Sequence, residues 1–293
     1  MLLCYYKRTT LVVLLLCLFM VEQSHAQKRR GRKSAARSPF LNTQWWIGVK
    51  AGGNLTKANP VARYSEYVST QDPGGNYYDK NYGSFNIFNG QAGLEITYFH
   101  KGFSISFQPN YRRMSFSYSN YYIWSDPSNP SNSLEMTDNS TIKLDYFEFP
   151  LLIKYEPFQT RLRPFVQAGI YYAALNNAYK STRIDERDMA SGGNNEYTRE
   201  SFAMSANDLF ISTNIGWILG AGVSYPLGNV RLALDISYRN NTNNITNKAN
   251  RYNSDRLTGT GDVLDDVKLR NLSFSLSCLI PLRFLAKSNF MAE

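Results

Sequence analysis

The chain has 293 residues and a formal net charge of +9, with 43% hydrophobic and 14% aromatic side chains. Three cysteines are too few for a disulfide-rich scaffold. The length fits one large barrel or two average domains.

Lys7 and Arg8 precede an almost wholly apolar run, Leu11 to Val21, and Ser24-His25-Ala26 then places small residues where a signal peptidase reads. Residues 1–26 are expected to be a cleavable signal peptide, with Gln27 as the mature start. The run is too short for a spanning helix, which takes about 20 apolar residues. A lipoprotein signal would use Cys17, but Leu16 stands where a small residue is required. Cleavage removes Cys4 and Cys17, leaving Cys278 among apolar residues as an inert thiol. It also removes Lys7, Arg8 and Glu22, a net +1, and leaves +8. Lys28, Arg29, Arg30, Arg32, Lys33 and Arg37 supply six of those eight charges. Residues 27–44 therefore read as a basic, flexible periplasmic leader, either solvated or in contact with anionic lipid or a partner. An exported chain would not meet nucleic acid.

Eight segments with period-two alternation follow, at about Trp45–Thr56, Ser84–His100, Gly102–Tyr118, Thr141–Glu156, Arg161–Ala178, Asp208–Tyr225, Gly228–Asn243 and Val267–Phe284. The last is the cleanest: Leu272, Phe274, Leu276, Cys278, Ile280, Leu282 and Phe284 share one face, and Asn271, Ser273, Ser275 and Ser277 the other. In Gly102–Tyr118 the apolar parity shifts after Arg112-Arg113, to Met114, Phe116 and Tyr118, which marks a bulge or the end of a membrane zone. Pro109 and Pro150 each remove a ladder donor and are expected at bulges or strained sites. The links alternate. Those around Lys101, Pro157–Thr160 and Pro226–Leu227 are short, while Lys57–Gly83, Ser119–Ser140, Tyr179–Asn207 and Asn244–Asp266 are long and polar. That is the layout of an outer-membrane barrel with short periplasmic turns, long extracellular loops and both ends of the chain on the periplasmic side.

The fold class expected is all-β: an eight-stranded antiparallel up-and-down transmembrane barrel over residues 45–284, with a tail at 285–293. A soluble lipocalin-type barrel also has eight strands, but its apolar face points inward. Three features favour the membrane form. The polar face is mostly Ser, Asn, Gln and Gly, which suits a narrow lumen better than a water-facing surface. Aromatics gather near strand ends, at Trp45, Trp46, Tyr98, Phe99, Tyr155, Phe158, Tyr225 and Phe284, and further along at Tyr111, Tyr118, Tyr171, Tyr172 and Tyr238. Such rings form interfacial girdles. The leader and the loop asymmetry both fit export.

Charges on the polar face must be paired if they are buried. Lys50, Glu95, Asp145 or Glu148, Lys154, Arg231, Asp235 and Arg239 are expected to form a structural lumen network. A gated polar path is the alternative, but eight strands leave little room for solute. Hydrolysis at a serine needs a base, and His25 lies in the signal while His100 sits at the shortest turn. No catalytic residue, cofactor or metal site is expected; Asp262, Asp265 and Asp266 could at most hold calcium weakly. The long loops carry Tyr64, Tyr67, Tyr77, Tyr78, Tyr82, Tyr121, Tyr122, Trp124, Tyr197 and Tyr252. Tyr77, Tyr78, Tyr121, Tyr122 and Trp124 are the candidate partner-binding aromatics; otherwise these rings pack together as a cap.

Two stretches carry a family resemblance. Trp46-Ile47-Gly48-Val49-Lys50-Ala51-Gly52-Gly53-Asn54-Leu55-Thr56 resembles the opening strand of the PorT-like outer-membrane β-barrel family. Leu144-Asp145-Tyr146-Phe147-Glu148-Phe149-Pro150-Leu151-Leu152-Ile153-Lys154-Tyr155, followed by Arg163-Pro164-Phe165-Val166-Gln167-Ala168-Gly169, resembles a later strand pair of that family. The resemblance implies a non-enzymatic barrel in the outer membrane of a Gram-negative bacterium. It implies an accessory role in type IX protein secretion and linked gliding, with outer-membrane lipid and other secretion proteins as partners. A surface adhesion or small-ligand barrel of the OmpX or OmpW type is the alternative, and a lipid-modifying enzyme a more distant one.

Overall fold

The computed structural model describes residues 43–64, 80–158, 160–191, 193–227, 230–251 and 263–282. The expected signal peptide, the basic leader from Lys28 to Arg37, Tyr67, Tyr77, Tyr78, Tyr252, Asp262, Phe284 and the C-terminal tail lie outside the described residues.

Eleven strands are described: β1 (Thr43–Ala62), β2 (Asn81–Tyr82), β3 (Ser84–His100), β4 (Phe103–Phe107), β5 (Asn110–Asp126), β6 (Asn129–Tyr155), β7 (Arg163–Asp188), β8 (Asn195–Ser205), β9 (Thr213–Leu227), β10 (Val230–Asn241) and β11 (Asp266–Pro281). All pairings are antiparallel. β1 pairs β3, β3 pairs β4 and then β5, and both pair β6. The series continues through β7, β9, β10 and β11, and β11 returns to β1. Counting β4 and β5 as one interrupted strand, the pairings form a ring of eight. Among the described residues β8 pairs only β7, and β2 only β5, so both lie off the ring.

Alternation sorts the side chains into two faces. The polar set is buried inside the ring: Asn54, Glu95, Gln108, Arg112, Glu148, Asp235, Ser273 and Ser277 are each at most 2% exposed. The apolar set faces out: Val49 is 60% exposed, Ile153 61% and Ile170 62%. Outward apolar stretches run over Trp45–Leu55, Phe88–Tyr98, Phe103–Tyr111, Phe147–Tyr155, Val166–Ala174, Ile215–Tyr225, Val230–Tyr238 and Leu272–Leu282. Each spans nine or eleven residues, with no outward-pointing charge. A tilted strand needs about 9–11 residues to cross a hydrocarbon layer. Beyond each stretch, at the end away from the short turns, the next outward residues are Lys57, Asn86, Arg113, Asp145, Asn177, Thr213, Asn240 and Arg270. The band therefore stops on a common rim.

At the short-turn end, Lys101 and Gly102 both take positive φ, 47° and 96°, and join β3 to β4. That is the backbone of a two-residue primed turn, whose twist matches that of its strands. Gly53 points outward, and a Cβ there would overlap the Phe88 ring, so an aromatic side chain covers the bare backbone.

Three expectations need correction, and one pair of alternatives is resolved. The stretches Ser119–Ser140 and Tyr179–Asn207 are mostly strand, because β5 and β6 continue to a tight link at Pro127-Ser128, and β7 runs on to Asp188 before β8 returns. Antiparallel pairing outlasts the apolar pattern, since Thr, Tyr, Ser and Ile form strands in water as well as in lipid. No bulge sits at Arg112-Arg113: β5 stays in register with β6 from Asn110 to Ser125. The inward parity is unbroken there, and what changes is the inward chemistry, from polar to apolar. Pro150 pairs Tyr171 without a register shift, whereas Pro109 does mark the break between β4 and β5. Pro150 stands opposite Gln108 beside that break, where the Gln108 amide donates to the Pro150 carbonyl at 3.0 Å. Finally, Trp46, Phe99, Tyr118 and Tyr171 are inward and at most 7% exposed, so they belong to no girdle. Trp45 and Trp46 are consecutive, and a strand can aim only one of them outward.

Candidate functional site

The ring interior has two storeys. Nearer the short turns it is polar. Lys50 Nζ lies 2.7 Å from Asp235 Oδ2 and donates to Gln108 at 3.1 Å. Gln167 donates to the other Asp235 oxygen at 3.2 Å. Glu95 accepts from Lys154 on one oxygen and from Ser277 on the other, at 2.8 Å. Glu148 serves two cations: Arg112 at 2.9 Å and Arg239 at 2.6 Å. Arg231 pairs Glu156 at the short-turn end, with its guanidinium 5.4 Å from the Phe99 ring and 5.9 Å from Trp46. All of these side chains are nearly inaccessible to solvent. Ion pairs in such surroundings survive only with partners on most polar atoms.

Lys50, Glu95, Glu148, Lys154, Arg231, Asp235 and Arg239 therefore stand in one buried region, split into four ion-paired groups. Asp145 is not among them. It faces outward and takes a bidentate bond from Arg113, at 2.7 and 2.8 Å. Sequence reasoning missed Arg112 and Glu156. The signal for Arg112 was its place in the even-numbered series Ser104, Ser106, Gln108, all inward.

Above the polar storey the interior turns apolar. Met114, Phe116, Ile142, Leu144, Tyr146, Leu209, Phe210, Ile245 and Leu269 are each at most 3% exposed and form one cluster. Tyr82 packs on it, 5.3 Å from Tyr118 and 6.4 Å from Phe116 between ring centres. This layer closes the interior toward the long-loop end. Asp265 and Asp266 are engaged there with Tyr82, Lys80 and Arg251. Among the described residues no group of His, Cys, Asp or Glu is arranged to hold a metal ion.

Beyond the rim, β5, β6, β7 and β8 continue as a four-stranded antiparallel sheet. β6 has 27 residues. At about 3.3 Å per residue and a tilt of about 40°, it rises roughly 40 Å past a hydrocarbon core about 30 Å thick. Tyr121, Tyr122 and Trp124 lie on β5 in this sheet, with Tyr122 buried and stacked on Trp124 at 5.8 Å. At the other edge of the sheet Tyr197 of β8 is 54% exposed. Beside it Glu135, Asp185, Glu186, Arg187, Glu196 and Thr198 line a shallow polar cleft of about 300 Å³. The sheet tips are pinned by side chains. Asp126 accepts from the Ser128 amide at 2.8 Å and its hydroxyl at 2.6 Å, and Asp188 from the Ser191 hydroxyl at 2.7 Å. These bonds hold both carboxyls below the usual range. The tips therefore stay pinned above ordinary carboxylate pKa values and loosen only as the pH falls through the lowered ones.

A family model for the outer membrane protein beta-barrel domain matches residues 25–247. No curated protein matches the chain. Among solved structures, the attachment invasion locus protein Ail of Yersinia pestis, in complex with the heparin analogue sucrose octasulfate, aligns at 8% identity. It covers 81% of this chain and 99% of its own, with a TM-score of 0.30. Neisserial surface protein A aligns at 15% identity over 79% of this chain and 95% of its own, also with a TM-score of 0.30. At that score neither likeness assigns a function.

Proposed function

The chain belongs to the outer membrane protein beta-barrel domain family, and from that premise we propose a non-enzymatic barrel that holds a rigid sheet outside the outer membrane for a protein partner. The apolar band sits in lipid, the short turns face the periplasm, and the β5–β8 sheet stands outside the cell. The projecting sheet carries this reading. Among the described residues β8 leaves one edge of it open, and aromatic rings suited to protein contacts stand on it. The interior supports a structural role over transport, because ion pairs and an apolar layer fill it. No hydrolytic pair suggests itself, since the one described histidine stands at the β3–β4 turn.

The partner's setting follows from the PorT-like resemblance of β1 and β6: an accessory role in type IX secretion. Surface adhesion is the second reading, favoured by the outward position of the sheet. One variant separates them. Asn120 pairs with Asp138, so residues 121–137 can be replaced by an Asn-Gly turn without changing the register. The shortened protein should reach the outer membrane at normal abundance. Release of cargo with C-terminal sorting domains should fall about tenfold, the loss expected when a binding patch worth about 1.4 kcal/mol is removed. Normal secretion with lowered adhesion would move the assignment to the second reading. Normal secretion and normal adhesion, here and when residues 180–204 between the paired Tyr179 and Ser205 are likewise replaced by Asn-Gly, would reject a partner on this sheet.

A further inference from the structure

We propose that Lys57, Lys268 and Arg270 form a docking site for the phosphate groups of an anionic glycolipid in the outer leaflet. The proposal rests on the membrane reading above. On β1 the outward apolar series ends at Leu55 and the next outward residue is Lys57; on β11 it ends at Leu272 and continues with Arg270 and Lys268. Lys57 stands directly opposite Arg270 in the β1–β11 register, and Lys268 lies one outward step further, opposite Asn59. Three cations thus share one small patch at the rim.

Like charges directly opposite each other in a sheet repel. Elsewhere on this rim the problem is solved within the chain, where Arg113 is held bidentately by Asp145. Lys57, Lys268 and Arg270 have no ion pair among the described residues. The neighbour of Arg270 on β10 is Asn240, which is neutral. An external anion is what the patch lacks, and its position selects the kind. It lies one outward residue above a lipid-facing stretch, where long basic side chains lay their stems on apolar surface and lift their charge to headgroup level. Arginine grips phosphate bidentately, and lysines add point charge. A phosphorylated glycolipid whose acyl chains pack on Leu55, Leu272 and Phe274 meets both demands at once.

The test uses the full chain in phosphatidylcholine nanodiscs doped with lipid A or with its phosphate-free counterpart. Insertion is checked first by heat-modifiable gel mobility. Lipid co-isolated with the protein is then quantified by native mass spectrometry. The wild type should retain lipid A about tenfold more than the phosphate-free lipid, and K57Q/R270Q should lose most of that preference. K101Q/R161Q, which removes equal charge at the opposite border, should keep it. Equal retention of the two lipids by the wild type, or an unchanged preference in K57Q/R270Q, would overturn the assignment while leaving the membrane reading intact. Displacement of lipid A by millimolar inorganic phosphate would make this a soluble-anion site and also overturn it. Failure of the wild type to insert would defeat the membrane reading, and this site with it.

Discussion

Replacing Ile170 with arginine is expected to weaken insertion of the chain into a bilayer by about 2–4 kcal/mol. Ile170 is 62% exposed, and on a soluble protein such a position tolerates most changes within about 0.5 kcal/mol. Here it lies at the middle of the Val166–Ala174 stretch, between Leu151 of β6 and Trp217 of β9. An arginine at mid-depth on the lipid face of a barrel costs about 2–4 kcal/mol, a large part of a typical total of about 5–15. Thr141→Arg is the control. Thr141 also points outward, on β6 beyond the rim and opposite Ser117 and Ser181, and should change stability by less than about 0.5 kcal/mol. Urea-dependent folding into phosphatidylcholine vesicles measures both. Equal effects at the two positions would mean that the apolar band is not a lipid contact.

Glu148→Ala should be the most damaging change inside the ring. Its carboxylate is the shared partner of Arg112 and Arg239, which are 0% and 3% exposed. Removing it leaves two buried guanidinium groups without their anion, a loss of about 3–5 kcal/mol for a broken buried pair. Glu148→Gln keeps the shape and one acceptor and should cost less. Neither variant should conduct ions across a planar bilayer, because the cluster around Phe116, Ile142 and Leu144 still closes the interior above the gap. A clear rise in conductance with either variant, or in the wild type, would show that this apolar layer does not seal.

The ring was readable in the sequence because one physical rule governs all of it. Within the band every outward residue must tolerate lipid, so alternation stays clean over Leu272–Leu282 and Phe147–Tyr155. β3 lies at the expected residues, Ser84–His100. Above the rim that rule lapses. Strand formation there rests on pairing between β5, β6, β7 and β8, which no single segment announces, so these residues read as loops. The parity change after Arg112-Arg113 was a true signal with two readings, a bulge or the end of a zone. It is the inversion from polar-inside to apolar-inside, with the outward face turning to Arg113 and Ser117. Among the charges, alternation picked the inward residues but not their partners. Arg231 with Glu156, and Arg112 with Glu148, join strands distant in sequence. Asp145 and Glu148 are three residues apart and so lie on opposite faces, and the Phe147–Tyr155 alternation already marks Glu148 as the inward one.

Everything turns on which side of each strand meets lipid. The direct measurement is a scan of β11 with single spin labels at 273 to 278 in vesicles, comparing accessibility to dissolved oxygen and to a water-soluble nickel complex. The account predicts a period of two: labels at Phe274, Leu276 and Cys278 reached by oxygen alone, and labels at Ser273, Ser275 and Ser277 reached by neither. Nickel access at Phe274, Leu276 and Cys278, or oxygen access at the serines, would invert the barrel and contradict the account.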